Sequence, residues 1–123
     1  MKSILIAISA LDARRRFSDI LSNAGYHVLA AESGESAIEL AKSVNPDLVL
    51  MAIVMPTLDG LQTASRLRAV LSFPVPIVLL GTVTPIGIDE KPLASLVNDY
   101  LNLDVSSEQL LACVAKHLGT PSV

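Results

Sequence analysis

Between the Pro46-Asp47 turn and Pro56 the chain runs from Leu48 to Met55 without a single polar side chain. A short apolar run closed by breakers reads as a strand buried on both faces, the signature of a central strand in a parallel sheet. Such a strand dictates its surroundings. Helices must cover both faces of the sheet, and a working site belongs at the carboxyl ends of the strands. Ala52 stands where this strand is expected to end.

The flanking segments alternate accordingly. Ile4 to Ile8 reads as a first strand, turned by Ser9-Ala10-Leu11-Asp12. Phe17, Ile20, Leu21 and Ala24 then recur at helical spacing, and Gly25 supplies a left-handed stop. Arg14, Arg15 and Arg16 are expected on a solvated face, pairing with Asp12 or Asp19. Tyr26 to Ala31 is a second strand. Ser33 caps a helix carrying Ala37, Ile38, Ala41 and Val44 inward, which ends at Asn45-Pro46.

After the central strand, Leu61 to Val70 forms a third helix on Leu61, Ala64, Leu67 and Leu71. Pro74 and Pro76 lead into a fourth strand, Ile77 to Leu80, followed by a long loop from Gly81 to Asp89. A fourth helix starts at Asp89 or Glu90, with Pro92 in its first turn. Asp99 to Leu103 is a fifth strand. Ser106 and Gln109 form a capping box for the last helix, which packs Leu110, Leu111, Val114 and Leu118 inward and stops at Gly119. Cys113 on that helix reads as a small hydrophobe, not a nucleophile.

Five strand–helix units joined by right-handed crossovers give a three-layer α/β/α sandwich around a five-stranded parallel sheet. The expected order is 2-1-3-4-5, of flavodoxin-like type, in one domain over residues 1–119 with a tail at 120–123. At 123 residues, 51% apolar and 17% charged, the chain can bury a substantial core. A net charge of −3 offers no electrostatic case for nucleic acid or an anionic membrane. No run reaches the ~18 apolar residues of a membrane span. One cysteine forms no internal disulfide and suits a cytoplasmic location.

Several stretches resemble the receiver domain of bacterial response regulators. They are Gly25-Tyr26-His27-Val28, Ala31-Glu32-Ser33-Gly34-Glu35-Ser36-Ala37, Pro46-Asp47-Leu48-Val49-Leu50, Met55-Pro56, Asp59-Gly60-Leu61, Pro76-Ile77-Val78-Leu79 and Asp99-Tyr100-Leu101. The resemblance spans essentially the whole chain. It implies a domain that accepts a phosphoryl group from a histidine kinase on an aspartate ending the third strand. An acidic pair ending the first strand would help hold Mg²⁺, a hydroxyl would end the fourth strand, and a lysine would stand on the fifth.

None of these groups is present at the matching positions. The acceptor position is Ala52, the acidic pair falls on Ile8 and Ser9, and the hydroxyl position is Gly81 with Thr82 one residue late. The lysine position is Leu103, followed by Asp104 where the family has proline. The expectation is therefore a degenerate receiver: no enzyme, no cofactor, no metal site, and no phosphoryl transfer.

What remains is a phosphorylation-independent module that meets a protein partner of a signalling pathway. Its binding face would comprise the fourth helix, fifth strand and last helix. Tyr100 matches the family's aromatic residue there, the alternative being a tyrosine packed at the sheet edge with its hydroxyl in water. A homodimer stays open. Two other readings compete, a flavodoxin-like protein binding a small ligand or cofactor and the receiver module of a longer regulator. Against the former, Ser9-Ala10-Leu11 is no phosphate-cradling loop, and His27 and His117 lie away from the strand ends.

Overall fold

The apolar run at 48–52 is the middle of the molecule. In the computed structural model, which describes residues 2–53, 60–71, 75–81 and 97–118, it forms β3 (Leu48–Ala52), every residue of which is buried. Around it the chain lays down β1 (Ser3–Ala7), α1 (Leu11–Asn23), β2 (His27–Ala31), α2 (Gly34–Val44), α3 (Gly60–Val70), β4 (Ile77–Gly81), β5 (Asp99–Asn102) and a last described helix, α4 (Ser107–Leu118).

The five strands form one sheet in the order β2-β1-β3-β4-β5, every neighbouring pair parallel. The chain steps one way from β1 to β2 and the other way from β3 to β5. With right-handed crossovers, that reversal puts α1 on one face and α2 and α3 on the other. Residues of β1, β3 and β4 contribute about half of the buried core, joined by Phe17 and Leu21 of α1, Ala37 and Ala41 of α2, Ala64 and Leu67 of α3, and Leu110 and Val114 of α4. Each fully buried Leu, Ile or Phe contributes roughly 1.5–3 kcal/mol. The sheet interior therefore carries a large share of the driving force.

Local signals stop α1 and α2 where they were expected, while β1 and β5 end at Ala7 and Asn102, one residue short of the expected Ile8 and Leu103, and the expected stop at Gly119 lies outside the described residues. Gly25 has φ 102° and Asn45 φ 49°, the left-handed conformations that end α1 and α2. Ser33 Oγ accepts the Ser36 N–H at 3.1 Å. Ser106 and Gln109 exchange both capping-box bonds, at 3.1 and 3.3 Å.

Val44 departs from expectation. It is 38% exposed, and the buried stripe of α2 ends with Ala41. The helix expected from Asp89 or Glu90, Thr82 and the rest of the loop to Asp89, the Pro56–Asp59 turn, and the tail at 120–123 all lie outside the described residues. Among the described residues no helix is long and apolar enough to cross a membrane.

Candidate functional site

The registers bring the expected site positions together at the carboxyl edge of the sheet. Ala7 pairs with Met51 and Ala52 with Leu80, so Ile8 and Ala52 stand side by side one step further on. Gly81 pairs with Asn102, and the Leu103 N–H bonds the Gly81 carbonyl at 2.6 Å. Ile8 is 2% exposed and Ala52 5%. Ser9 and Leu103 are half-buried. Among the described residues, the side chains of Ile8 and Ala52, buried at this edge, are apolar.

Gly60 starts α3 directly above it. Its N–H bonds the Ile53 carbonyl at 2.7 Å, and a Cβ there would lie 2.8 Å from the Ala52 oxygen and 2.9 Å from the Ile53 Cα. Only glycine admits this approach of helix to strand end.

Gly81 likewise gives up its side-chain space. A Cβ at this position would overlap the Tyr100 hydroxyl and come within 3.1 Å of Tyr100 Cζ and 3.2 Å of Ile53 Cδ1. Tyr100 therefore leans from the edge strand β5 across the end of β4, with its hydroxyl over Gly81. The simpler picture, a hydroxyl pointing only into water, does not describe it.

The arginine run also differs from expectation. Among the described residues no ion pair joins it to Asp12 or Asp19. Arg14 Nη1 instead donates to the carbonyls of Ile8 (2.9 Å) and Ser9 (3.2 Å). Arg16 donates to the Leu103 and Val105 carbonyls, its guanidinium 5.2 Å from the Phe17 ring centroid. Both side chains tie α1 to loops at the carboxyl edge, and Arg15 is exposed. A usable signal existed, since the first turns of a crossover helix begin at the strand end that precedes them.

At the opposite edge the sheet is pinned by polar bonds. Asp47 Oδ2 accepts the Ser3 N–H at 2.7 Å. Arg68 donates to the Val75 carbonyl and to Asn98 Oδ1, at 2.6 and 2.7 Å. Asp99 opens β5. Its Oδ1 accepts the Tyr100 N–H, and Oδ2 faces Cys113 Sγ, Lys116 Nζ and His117 Nε2 on α4.

Burial pushes the Asp99 carboxyl up. The bonds from Tyr100, His117 and Cys113 and the Lys116 charge outweigh it, so the group titrates below its ordinary value. Burial, and then the Asp99 charge, push the Cys113 thiol up to about 11. Cys113 is thus the buried small side chain expected, with a polar contact that its sequence position did not reveal.

A doubly wound parallel sheet in this order, with its candidate site at the carboxyl strand ends, defines a flavodoxin-like α/β domain. The response regulator receiver domain model matches residues 4–115, and the chain belongs to that family. Protein PilH of Pseudomonas aeruginosa is 30% identical over 93% of this chain and 95% of its own length. Hybrid signal transduction histidine kinase D of Dictyostelium discoideum is 32% identical over 92% of this chain, which spans 7% of that protein. This chain also spans less than half the length of the probable transcriptional regulator ycf27 of Porphyridium aerugineum, covering 45% of it.

Among solved structures, the receiver domain of sensor histidine kinase PA1611 from Pseudomonas aeruginosa superimposes with a TM-score of 0.87. It is 26% identical, covers 97% of this chain and 98% of its own, and carries a magnesium ion in its active-site cleft. Chemotaxis protein CheY4 of Vibrio cholerae shares the fold, at TM-score 0.86 and 23% identity over 95% and 98% of the two chains. The chain is a response regulator receiver domain of two-component signalling.

Proposed function

We propose that this receiver domain signals without phosphoryl transfer, as a protein-interaction module. One observation carries the reading. The side chain ending β3 is the Ala52 methyl group, buried at the strand-end edge beside Ile8. Phosphoryl transfer onto this position needs a carboxylate nucleophile, oxygen ligands for a hard cation, and fixed positive charge where negative charge gathers. Ala52, Ile8 and Leu103 offer none of these, and Arg14 and Arg16 are engaged by main-chain carbonyls.

The joint substitution is physically coherent. Removing one charge from a buried carboxylate–metal–ammonium cluster strands the others at a cost of roughly 3–5 kcal/mol. Replacing all of them leaves a neutral edge that packs. The PA1611 receiver holds magnesium in its cleft, and the acidic positions used for such an ion are expected here at Ile8 and Ser9.

On this reading the partner meets the β5–α4 side, where a shallow cavity of about 580 Å³ is lined by Tyr100, Leu101, Val105, Gln109 and others. Tyr100 presents one constant arrangement, because Gly81 has no hydroxyl to move it. A cytoplasmic location and a single domain over residues 1–119 belong to the same reading.

Intact-mass analysis after incubation with acetyl phosphate and Mg²⁺ tests it directly. The mass should not change, and several millimolar Mg²⁺ should raise Tm no more than NaCl of equal ionic strength. A hydroxylamine-labile gain of one phosphoryl group would overturn the proposal.

A further inference from the structure

Asp99, Cys113 and His117 form a cluster remote from the carboxyl edge. Cys113 and His117 stand four residues apart on α4, one helical turn, and so share a face. Asp99, the first residue of β5, closes the triangle from the sheet. Asp99 Oδ2 lies 3.5 Å from Cys113 Sγ and 3.2 Å from His117 Nε2, and the three ligand atoms lie within 4.8 Å of one another. Cys113 is buried, and the Asp99 and His117 side chains are 27% and 14% exposed.

Two of the three edges, those that meet at Asp99 Oδ2, match a tetrahedral ion, and the third, Cys113 Sγ to His117 Nε2, closes to about 3.5 Å by side-chain rotation on binding. With Zn–S of about 2.3 Å and Zn–N or Zn–O of about 2.0–2.1 Å, the S···O and N···O edges of the tetrahedron are about 3.5 and 3.3 Å. The donor set is also apt, because one thiolate, one imidazole and one carboxylate suit zinc and not a hard cation such as Mg²⁺. A supporting contact is already in place. Asp99 Oδ1 accepts the Tyr100 N–H at 2.9 Å, which turns Oδ2 toward the helix.

We propose that Asp99, Cys113 and His117 form a three-ligand site for a zinc-like divalent transition ion, with the fourth position open to water. Binding releases the Cys113 thiol proton to solvent, moves the His117 proton from Nε2 to Nδ1, and replaces the contacts of Cys113, His117 and Lys116 with Asp99 Oδ2 by bonds to the metal. Lys116 Nζ is 3.4 Å from Asp99 Oδ2, but its side chain is 69% exposed and swings away without opening the core. The ion would clamp the start of β5 to the last two turns of α4. That is the strand bearing Tyr100, so the metal would stiffen this side of the domain from its opposite end. The site is independent of the strand-end positions and stands whether or not the domain accepts a phosphoryl group.

The test uses the whole chain, stripped with EDTA and titrated with Co²⁺ and then Zn²⁺. One equivalent of Co²⁺ should give a thiolate-to-cobalt charge-transfer band and tetrahedral d–d absorption, both displaced by Zn²⁺. Zinc should raise Tm by several degrees, reversibly with EDTA. Cys113→Ser should abolish the charge-transfer band, and His117→Ala should weaken zinc at least tenfold. Lys116→Ala, an exposed change that leaves the fold intact, should tighten zinc several-fold by freeing Asp99. Absence of the charge-transfer band, zinc affinity indifferent to His117→Ala, or an affinity unchanged in Lys116→Ala would each overturn the site as drawn.

Discussion

The hydroxyl of Tyr100 occupies the space that a side chain on Gly81 would fill. The two residues lie on adjacent strands, Gly81 pairing with Asn102 and Tyr100 with Leu79. Each therefore constrains the other. The ring leans over the end of β4 because nothing projects from residue 81.

Gly81→Ala should accordingly displace the ring and destabilise the domain by roughly 1–3 kcal/mol, the usual cost of overpacking. In a Tyr100→Phe background the same change should cost less, since the hydroxyl is the nearest atom. Urea unfolding of the four proteins measures the coupling. Strictly additive losses would show that the two positions do not meet in solution.

Ala52→Asp should weaken the fold without restoring receiver chemistry. The new carboxylate would be desolvated beside Ile8, raising its pKa and costing roughly 1–3 kcal/mol near neutral pH. A pKa raised by folding means that the penalty is largest above the folded pKa. It shrinks as pH falls through that value toward the unfolded one. Denaturant midpoints at pH 8 and pH 5 check this, and equal stability of mutant and parent at pH 8 would reveal a hydrated strand edge.

Arg15 and Arg16 are both exposed, but of the two, among the described residues, only Arg16 finds partners, bridging α1 to two carbonyls of the loop beyond β5. Arg16→Ala should lose about 1–2 kcal/mol through the charge-assisted bonds and the Phe17 contact. Arg15→Ala should change little. Thermal or urea unfolding separates the two, and equal effects would return the whole run to a solvated face.

Cys113 should be a slow nucleophile in metal-free protein. A thiol moved from an ordinary 9.0 to about 11 has about a hundredfold less thiolate at pH 7. Alkylation by iodoacetamide should be slow at pH 7 and accelerate steadily toward pH 11. A reaction as fast as that of a free small thiol would mean that α4 opens readily from β5.

The β5–α4 interface proposal has its own discriminating pair. Tyr100→Ala should weaken capture of a signalling partner by an amount typical of an aromatic anchor, on the order of 2 kcal/mol. Arg15→Glu on α1 should leave it intact. The opposite pattern would move the binding face to α1.

The sequence by itself determined the architecture, because the signals involved are local. An all-apolar run at 48–52 demands burial on both faces, Gly25 and Asn45 end helices through backbone freedom, and Ser33 and Ser106 cap helices within one turn. Strand order follows from that periodicity and crossover handedness. Which side chains stand near the carboxyl strand ends, Ile8, Ala52 and Leu103, was equally legible, since the strand boundaries are local too.

Only the tertiary structure decided which polar groups meet. Arg14 and Arg16 look like solvated charges until β1 and the loop beyond β5 present carbonyls to them. Gly81 looks like a loop residue until Tyr100 arrives from another strand. Asp99 is separated from Cys113 and His117 by a turn and half a helix, and their approach to within 3.5 Å depends on how α4 crosses the sheet. Long-range side-chain geometry has no local pattern to announce it, because it is set by packing of the apolar faces and the polar atoms follow.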